Sequence, residues 1–180
     1  MALIVEDGTV VAGADSFLSL IDARAIASNY GINLPADDTE AEVSLRQGYL
    51  NLLNQERYLQ GSRVSADQTG IYPRTGVYNN CFPVASDSIP EEVKLSQLYA
   101  AEAISQGTSV NESTSGEALK SFDVKGVYSE TYQDNSRANL NATIQGVVNT
   151  IYPLTKSGFA ASPCGGGSGG LNRDNMGYLG

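Results

Sequence analysis

Three kinds of side chain in this sequence have types and spacings suited to chemistry. Carboxylates stand in adjacent pairs at Asp37-Asp38 and Glu91-Glu92. Arginines recur at Arg57, Arg63 and Arg74. Ten tyrosines are spread over 180 residues that contain no tryptophan. Paired carboxylates serve general acid–base catalysis, but they also complement the positive end of a helix dipole. Both pairs fall where helical spacing begins, so capping is the favoured reading and no catalytic residue is assigned. The chain has no histidine, which removes the commonest general base and metal ligand and, with them, any Ser-His or Cys-His dyad. There is no G-x-x-x-x-G-K-[ST] loop, no G-x-G-x-x-G after a strand and no D-x-[DN]-x-[DN]-G calcium spacing. No enzyme activity, cofactor or metal is expected.

The tyrosines raise a second possibility, a platform on which nucleic-acid bases stack. Tyr72, Tyr78 and the stretch from Tyr128 to Tyr132 are the expected exposed examples. Such platforms work beside positive grooves. Here 11 Lys and Arg face 20 Asp and Glu, for a formal charge of −9, and no basic run occurs. Packing in a core or at an interface is therefore the better reading. The three arginines suit phosphate, and they suit equally well a carboxylate on a neighbouring subunit. Cys81 and Cys164 are far apart and read as two isolated thiols in a reducing cytosol. No apolar run has membrane-spanning length. Glu6 and Asp7 replace the basic region of a signal peptide.

The elements that hold these residues can be read in order. Ala2 to Val5 is a short extended segment, with a turn at Gly8 and a second extended piece after it. Ser19 and Asp22 cap a helix from Leu20 to Tyr30 that stops at Gly31. Thr39 and Glu42 predict a capping box for a second helix, Glu40 to Gln60, with Leu45, Tyr49, Leu52 and Leu59 on its apolar stripe. Gly48 within it marks either close packing or plain tolerance. Ser88, Pro90 and Glu91 open a third helix that runs to Gln106, with Val93, Gln97, Ala100 and Ile104 on one face and an Ala-rich side for close approach. Leu119 to Val124 and Val127 to Tyr132 predict a β-hairpin. Leu140, Ile144, Val147, Val148 and Ile151 predict a fourth helix ending near Tyr152. The fold class is mainly α (α+β): a four-helix domain over residues 1–155 with a hairpin insertion. Residues 156–180, with GGGSGG at Gly165 to Gly170, form a Gly-rich arm or a plain tail.

Between the second and third helices runs Arg57 to Val93, too long for a bland connector in a small domain. It is expected to pack on its own Tyr72, Tyr78 and Phe82. Its motifs carry a resemblance: Gly61 with Arg63, then Tyr72-Pro73-Arg74-Thr75-Gly76-Val77, then Ile89-Pro90 to Val93. Together with MALIVEDGTVVAGADSFLSLIDA at the start, this is similar to a family of tailed-phage proteins over roughly residues 1–155. Its members are often labelled DnaT-like single-stranded-DNA-binding proteins, and the group resembles head-to-tail adaptors of the phage neck. Tyr72 stands where tryptophan is commoner in that family.

What the resemblance implies is a structural virion protein without specific DNA binding or membrane contact. It would form a homo-oligomeric, dodecameric ring below the portal protein, joining it to a downstream tail or nozzle protein and lining the channel through which DNA passes. Arg63, Tyr72, Pro73, Arg74, Tyr78 and Phe82 would then meet a partner or a neighbouring subunit. Leu171, Arg173, Met176, Tyr178 and Leu179 would anchor the arm on the portal. An arm of 25 residues spans roughly 80 Å when extended. The alternative is a single-stranded-DNA-binding or replication-accessory protein.

Overall fold

Helical periodicity is realised in α1 (Leu20–Tyr30), α2 (Asp38–Leu53), α3 (Glu91–Ser105) and α4 (Ala142–Ile151), with a short α5 (Lys156–Ala161) after them. The structure, a computed structural model, describes residues 2–107, 122–124, 128–130 and 142–162. Three two-stranded antiparallel ladders complete it: β1 (Ser62–Arg63) with β2 (Arg74–Thr75), β3 (Tyr78–Asn79) with β4 (Phe82–Pro83), and β5 (Phe122–Val124) with β6 (Tyr128–Glu130). The β5–β6 pairing falls within the expected hairpin, the rest of which lies outside the described residues. The class is mainly α with small β elements.

α3 is the central rod, packed on α2 along one side and on α4 along another. Its buried residues include Val93, Gln97, Leu98, Ala100 and Ala101, and the expected stripe of α2 is buried at Leu45, Tyr49 and Leu52. Of the stripe on α4, Val147 and Ile151 are buried, Val148 is exposed, and Leu140 and the Ile144 side chain lie outside the described residues. Gly48 marks close packing: a Cβ there would lie 2.6 Å from the backbone oxygen of Gln97 and 3.1 Å from the nitrogen of Ala101. The amide of Gln97, fully buried, stitches three elements together. Its Oε1 accepts from Phe17 N at 2.9 Å, and its Nε2 donates to Ser16 Oγ and to the Leu45 carbonyl, both at 2.9 Å.

Several boundaries differ from the spacing-based expectation. Ala2 to Val5 forms no strand, only a bridge between Val5 and Ser16. The segment wraps instead around the buried carboxylate of Glu6, which accepts from Gly8 N, Val10 N and Val11 N at 2.9–3.0 Å. α2 is capped by Asp37, whose side chain accepts from Glu40 N, and Thr39 lies inside the helix. α3 has Pro90 as its N-cap without a side-chain bond, since Ser88 Oγ turns back to Ala85 O; the Pro90 carbonyl takes the first helical amides. Ser19 caps α1 as expected. α2 ends at Leu53 and not at Gln60, because the chain turns at Asn54 into a 3-10 turn, Glu56–Tyr58, that buries Leu59 separately. α5 was not expected: Thr155 Oγ1 accepts from Gly158 N at 3.0 Å and starts a helix inside the segment read as an arm. The remainder of that segment lies outside the described residues.

The α2–α3 contact gives a direct test. Gly48→Ala forces a methyl group against backbone atoms and is expected to lower unfolding free energy by about 1–3 kcal/mol in urea titration. Since alanine is intrinsically the better helix former, a stabilised variant would show that the crossing is looser than described.

Candidate partner-binding face

Arg63 and Arg74 stand directly opposite each other in the β1–β2 register. Like charges in that arrangement repel. Glu56, in the turn after α2, resolves the conflict. Arg63 Nε and Nη2 bind its two carboxylate oxygens at 2.6 Å each, and Arg74 Nη1 reaches Oε1 at 3.2 Å. The remaining donors are met by backbone. Arg63 Nη1 donates to Gln68 O at 2.7 Å. Arg74 Nε donates to Gln60 O at 2.8 Å, Nη2 to Gly61 O at 2.9 Å, and Nη1 also to Ile71 O at 3.2 Å. The Arg74 side chain is 5% exposed. Hydrogen bonding by Arg63 holds the Glu56 carboxyl below the usual glutamate range, and the same contact pushes the Arg63 guanidinium up.

Gln60 completes this frame. Its Oε1 accepts from Tyr78 N at 3.0 Å. Its Nε2 donates to the carbonyls of Tyr78 and Pro153 at 3.0 Å and of Thr155 at 3.2 Å. Tyr72, on a cis bond to Pro73, is fully buried in the core with Phe17, Leu52, Val93 and Val147. Burial pushes its phenol well above the ordinary range, and its hydroxyl has no hydrogen-bond partner among the described residues.

These positions correct the sequence reading of the loop. Tyr72, Pro73 and Arg74 are buried within the chain, so they are framework and not surface for a partner. Arg63 is half-buried and occupied by Glu56. Of the three aromatics expected to pack the loop, only Tyr72 lies in the core; Tyr78 is 41% and Phe82 75% exposed. The arm residues Leu171, Arg173, Met176, Tyr178 and Leu179 lie outside the described residues. Of the two paired acidic sites, Asp37 caps α2 while Asp38 bonds Arg24 at 2.6 Å. Glu91 faces Lys94 at 3.8 Å, and Glu92 accepts from Asn79 Nδ2 at 2.5 Å.

What remains outward is an aromatic face around the β3–β4 hairpin. Phe159 of α5 packs on Tyr78 with ring centroids 5.6 Å apart. Tyr58 and Tyr152 are exposed beside the Leu59–Thr155 bridge. The Arg57 guanidinium lies 4.7 Å over the Tyr58 ring, and Lys156 Nζ donates to the Arg57 carbonyl at 3.0 Å. Among the described residues, Arg24, Arg46, Arg63, Arg74 and Lys94 pair with carboxylates. Arg57 and Lys156 do not, and they lie together here. Sequence reasoning missed Glu56, Gln60, Tyr58, Tyr152 and Phe159 as parts of this region. Glu56 pairs with Arg63 and Arg74, 7 and 18 residues further on, a separation that no local spacing signals.

Cys81 is a further correction: it is disulfide-bonded and not an isolated thiol. It occupies the second position of the β3–β4 turn, where Asn80 and Cys81 have φ of 46° and 76°. No group of three His, Cys, Asp or Glu residues among those described is arranged to hold a metal, and no described helix is long and apolar enough to cross a membrane.

Two outcomes follow from the buried groups. Tyr72→Phe removes an unpaired buried hydroxyl and is expected to leave stability equal or higher, while Tyr72→Ala costs about 3–5 kcal/mol by thermal or urea unfolding. A loss of more than ~1 kcal/mol in the phenylalanine variant would mean that the hydroxyl has a partner. As pH falls below the ordinary glutamate range, the unfolded state takes up the Glu56 proton first. The stability that Glu56 contributes is therefore complete above that range and is lost as pH drops through the depressed folded value. Glu56→Gln should flatten this acid limb in urea titrations run from pH 6 downward, and an unaltered limb would remove Glu56 as its source.

The family described as "Putative DnaT-like ssDNA binding protein" matches residues 1–170, and the chain belongs to that family. No curated protein and no solved structure matches it.

Proposed function

We propose that this family member is an assembly protein, a head-to-tail adaptor of a tailed phage, and that the face formed by Tyr58, Tyr78, Phe82 and Tyr152 docks against protein. The observation that carries this reading is how the cations are used. Five of those described are paired with the chain's own carboxylates, which leaves Arg57 and Lys156 as the basic complement of an aromatic surface on a chain of net charge −9. Tracking a phosphate backbone needs clustered positive charge. Burying exposed aromatic rings against a partner does not. In this reading the protein sits in the virion neck as a dodecameric ring between the portal protein and a tail or nozzle protein. An acidic lumen would repel DNA phosphates, so that DNA slides through. Leu171, Arg173, Met176, Tyr178 and Leu179 anchor the Gly-rich segment on the portal.

A second reading, single-stranded-DNA binding, is favoured by one specific observation besides the family's description. Arg57 stacked on Tyr58, with Tyr78 and Phe82 exposed nearby, is an arrangement on which bases can stack.

Mass photometry and electron microscopy of the purified protein, with anisotropy of a labelled oligo-dT strand, separate the two. The adaptor reading expects closed oligomers and no retention of the strand at about 150 mM salt. A monomer that holds the strand tightly, with a steep salt slope, overturns it. Phe82→Asp should reduce oligomer formation at least tenfold with little change in melting temperature, because Phe82 makes no core contact. Truncation after Ser162 spares Leu154 and α5; it should leave folding intact while abolishing attachment to portal-bearing heads. Undiminished attachment removes the segment's docking role.

A further inference from the structure

We infer that copies of this chain join through two different surfaces, with the β3–β4 hairpin of one copy, Phe82 foremost, seated in a cavity of the next copy formed by the N-terminal loop, α1 and the start of α3. The inference rests on the assembly reading above and names the surface that the aromatic face meets. The cavity measures about 610 Å³, within the roughly 300–1,000 Å³ of sites that enclose most of what they bind. Phe17, Leu18, Ile26 and Ile89 give it apolar lining, and Asp7, Asp22 and Asp87 give it negative charge. Ile21, one turn before the lining residue Ala25, is 81% exposed. The walls are fixed in advance. The Glu6 carboxylate holds the loop by three amides. Gly8, at φ 108°, lies so close to the facing segment that a Cβ there would be 2.0 Å from the Asp87 carbonyl oxygen. A preformed site binds without the cost of ordering its own walls.

Charge and position select a second copy as the occupant. Asp7 accepts from Thr9 and Asp22 from Ser19, and none of the described arginines or lysines pairs with these two or with Asp87. Lys94 also lines the cavity and lies 3.8 Å from Glu91. The aromatic face has the opposite balance, with Arg57 and Lys156 beside its exposed rings. Complementary charge around an apolar contact steers encounter and fixes register. Phe82, 75% exposed, does not fill the cavity of its own chain. On α3, Glu92 binds Asn79 of the hairpin, while Lys94 lines the cavity. Residues two apart on a helix point roughly 160° apart. Hairpin and cavity thus flank the start of α3 from opposite sides. Each copy then gives a hairpin and receives one, which is the heterologous contact that builds a ring when the rotation between copies closes.

Mass photometry of variants of the full chain, alone and mixed, tests the pairing. Phe82→Asp disables the hairpin. Ala25→Arg sets a bulky cation in the cavity, at an exposed helix position that arginine suits. Each alone is expected to lose assembly at least tenfold at an unchanged melting temperature. Mixed in equal amounts, the two should form a species of two copies and nothing larger, because the first keeps a working cavity and the second a working hairpin. Asp87→Arg, at another exposed position of the cavity, should replace Ala25→Arg in the mixture with the same result. Wild-type protein that is monomeric throughout removes assembly itself and this contact with it. Wild-type oligomers that both cavity variants still form, or folded variants that stay single when mixed, overturn the contact and leave the assembly reading standing.

Discussion

A buried guanidinium constrains more of this molecule than any apolar contact does. Arg74 carries a permanent charge into a site where its side chain is almost wholly enclosed, and an uncompensated charge there would cost several kcal/mol. Its neutralisation requires Glu56 and the carbonyls of Gln60, Gly61 and Ile71 in one place. Those carbonyls can converge only if the chain folds back on itself between α2 and β2. Arg63, opposite Arg74, is admitted because the same carboxylate serves both. The long connection thus follows a course set by hydrogen-bond satisfaction, with Tyr72 and Ile71 filling the apolar space beneath it.

The same logic recurs at each place where distant segments meet. Gln97 joins the N-terminal loop to α2, Glu6 is enclosed by three loop amides, and Glu102 accepts from Asn33 N at 2.9 Å to hold the segment after α1. Buried polar groups of this kind add little net stability when satisfied, but each wrong arrangement would strand a donor or acceptor. They select one path for segments that lack regular secondary structure. They also consume charge. The carboxylates and arginines that fix the loops are engaged with one another, while Tyr58, Tyr78, Phe82 and Tyr152 stay exposed.

How much of this was legible varied with the kind of signal. The helices were legible, because burial of one stripe repeats along them: Leu45, Tyr49 and Leu52 on α2, Val93, Gln97 and Ala100 on α3. The bounds of α1 were legible from Ser19 and Gly31 because a cap is a local bond. The end of α2 was not, since Leu59 continues the apolar spacing by coincidence and is buried from a different element. The aromatic face was legible only in part. Tyr78 and Phe82 were singled out, while Tyr58 and Tyr152 gain their meaning from the bridge between Leu59 and Thr155, a pairing that no periodicity encodes. Tyr72 and Arg74 were recognised as important but placed on the wrong side of the surface. Residue type announces that a group needs partners, and only the fold decides whether those partners are its own.

Gln60 has a consequence for the order in which the molecule is made. Two of its carbonyl partners, on Pro153 and Thr155, lie 93 and 95 residues further along the chain. A nascent chain emerging from the ribosome at ~5–20 residues per second therefore presents Gln60 many seconds before its partners exist. Until then the α1–α3 region can assemble, but the connection after α2 has an open amide and no C-terminal wall. Segments made some 93 and 95 residues after Gln60 close the frame on which the hairpin rests, so the aromatic face is completed only after they have been synthesised.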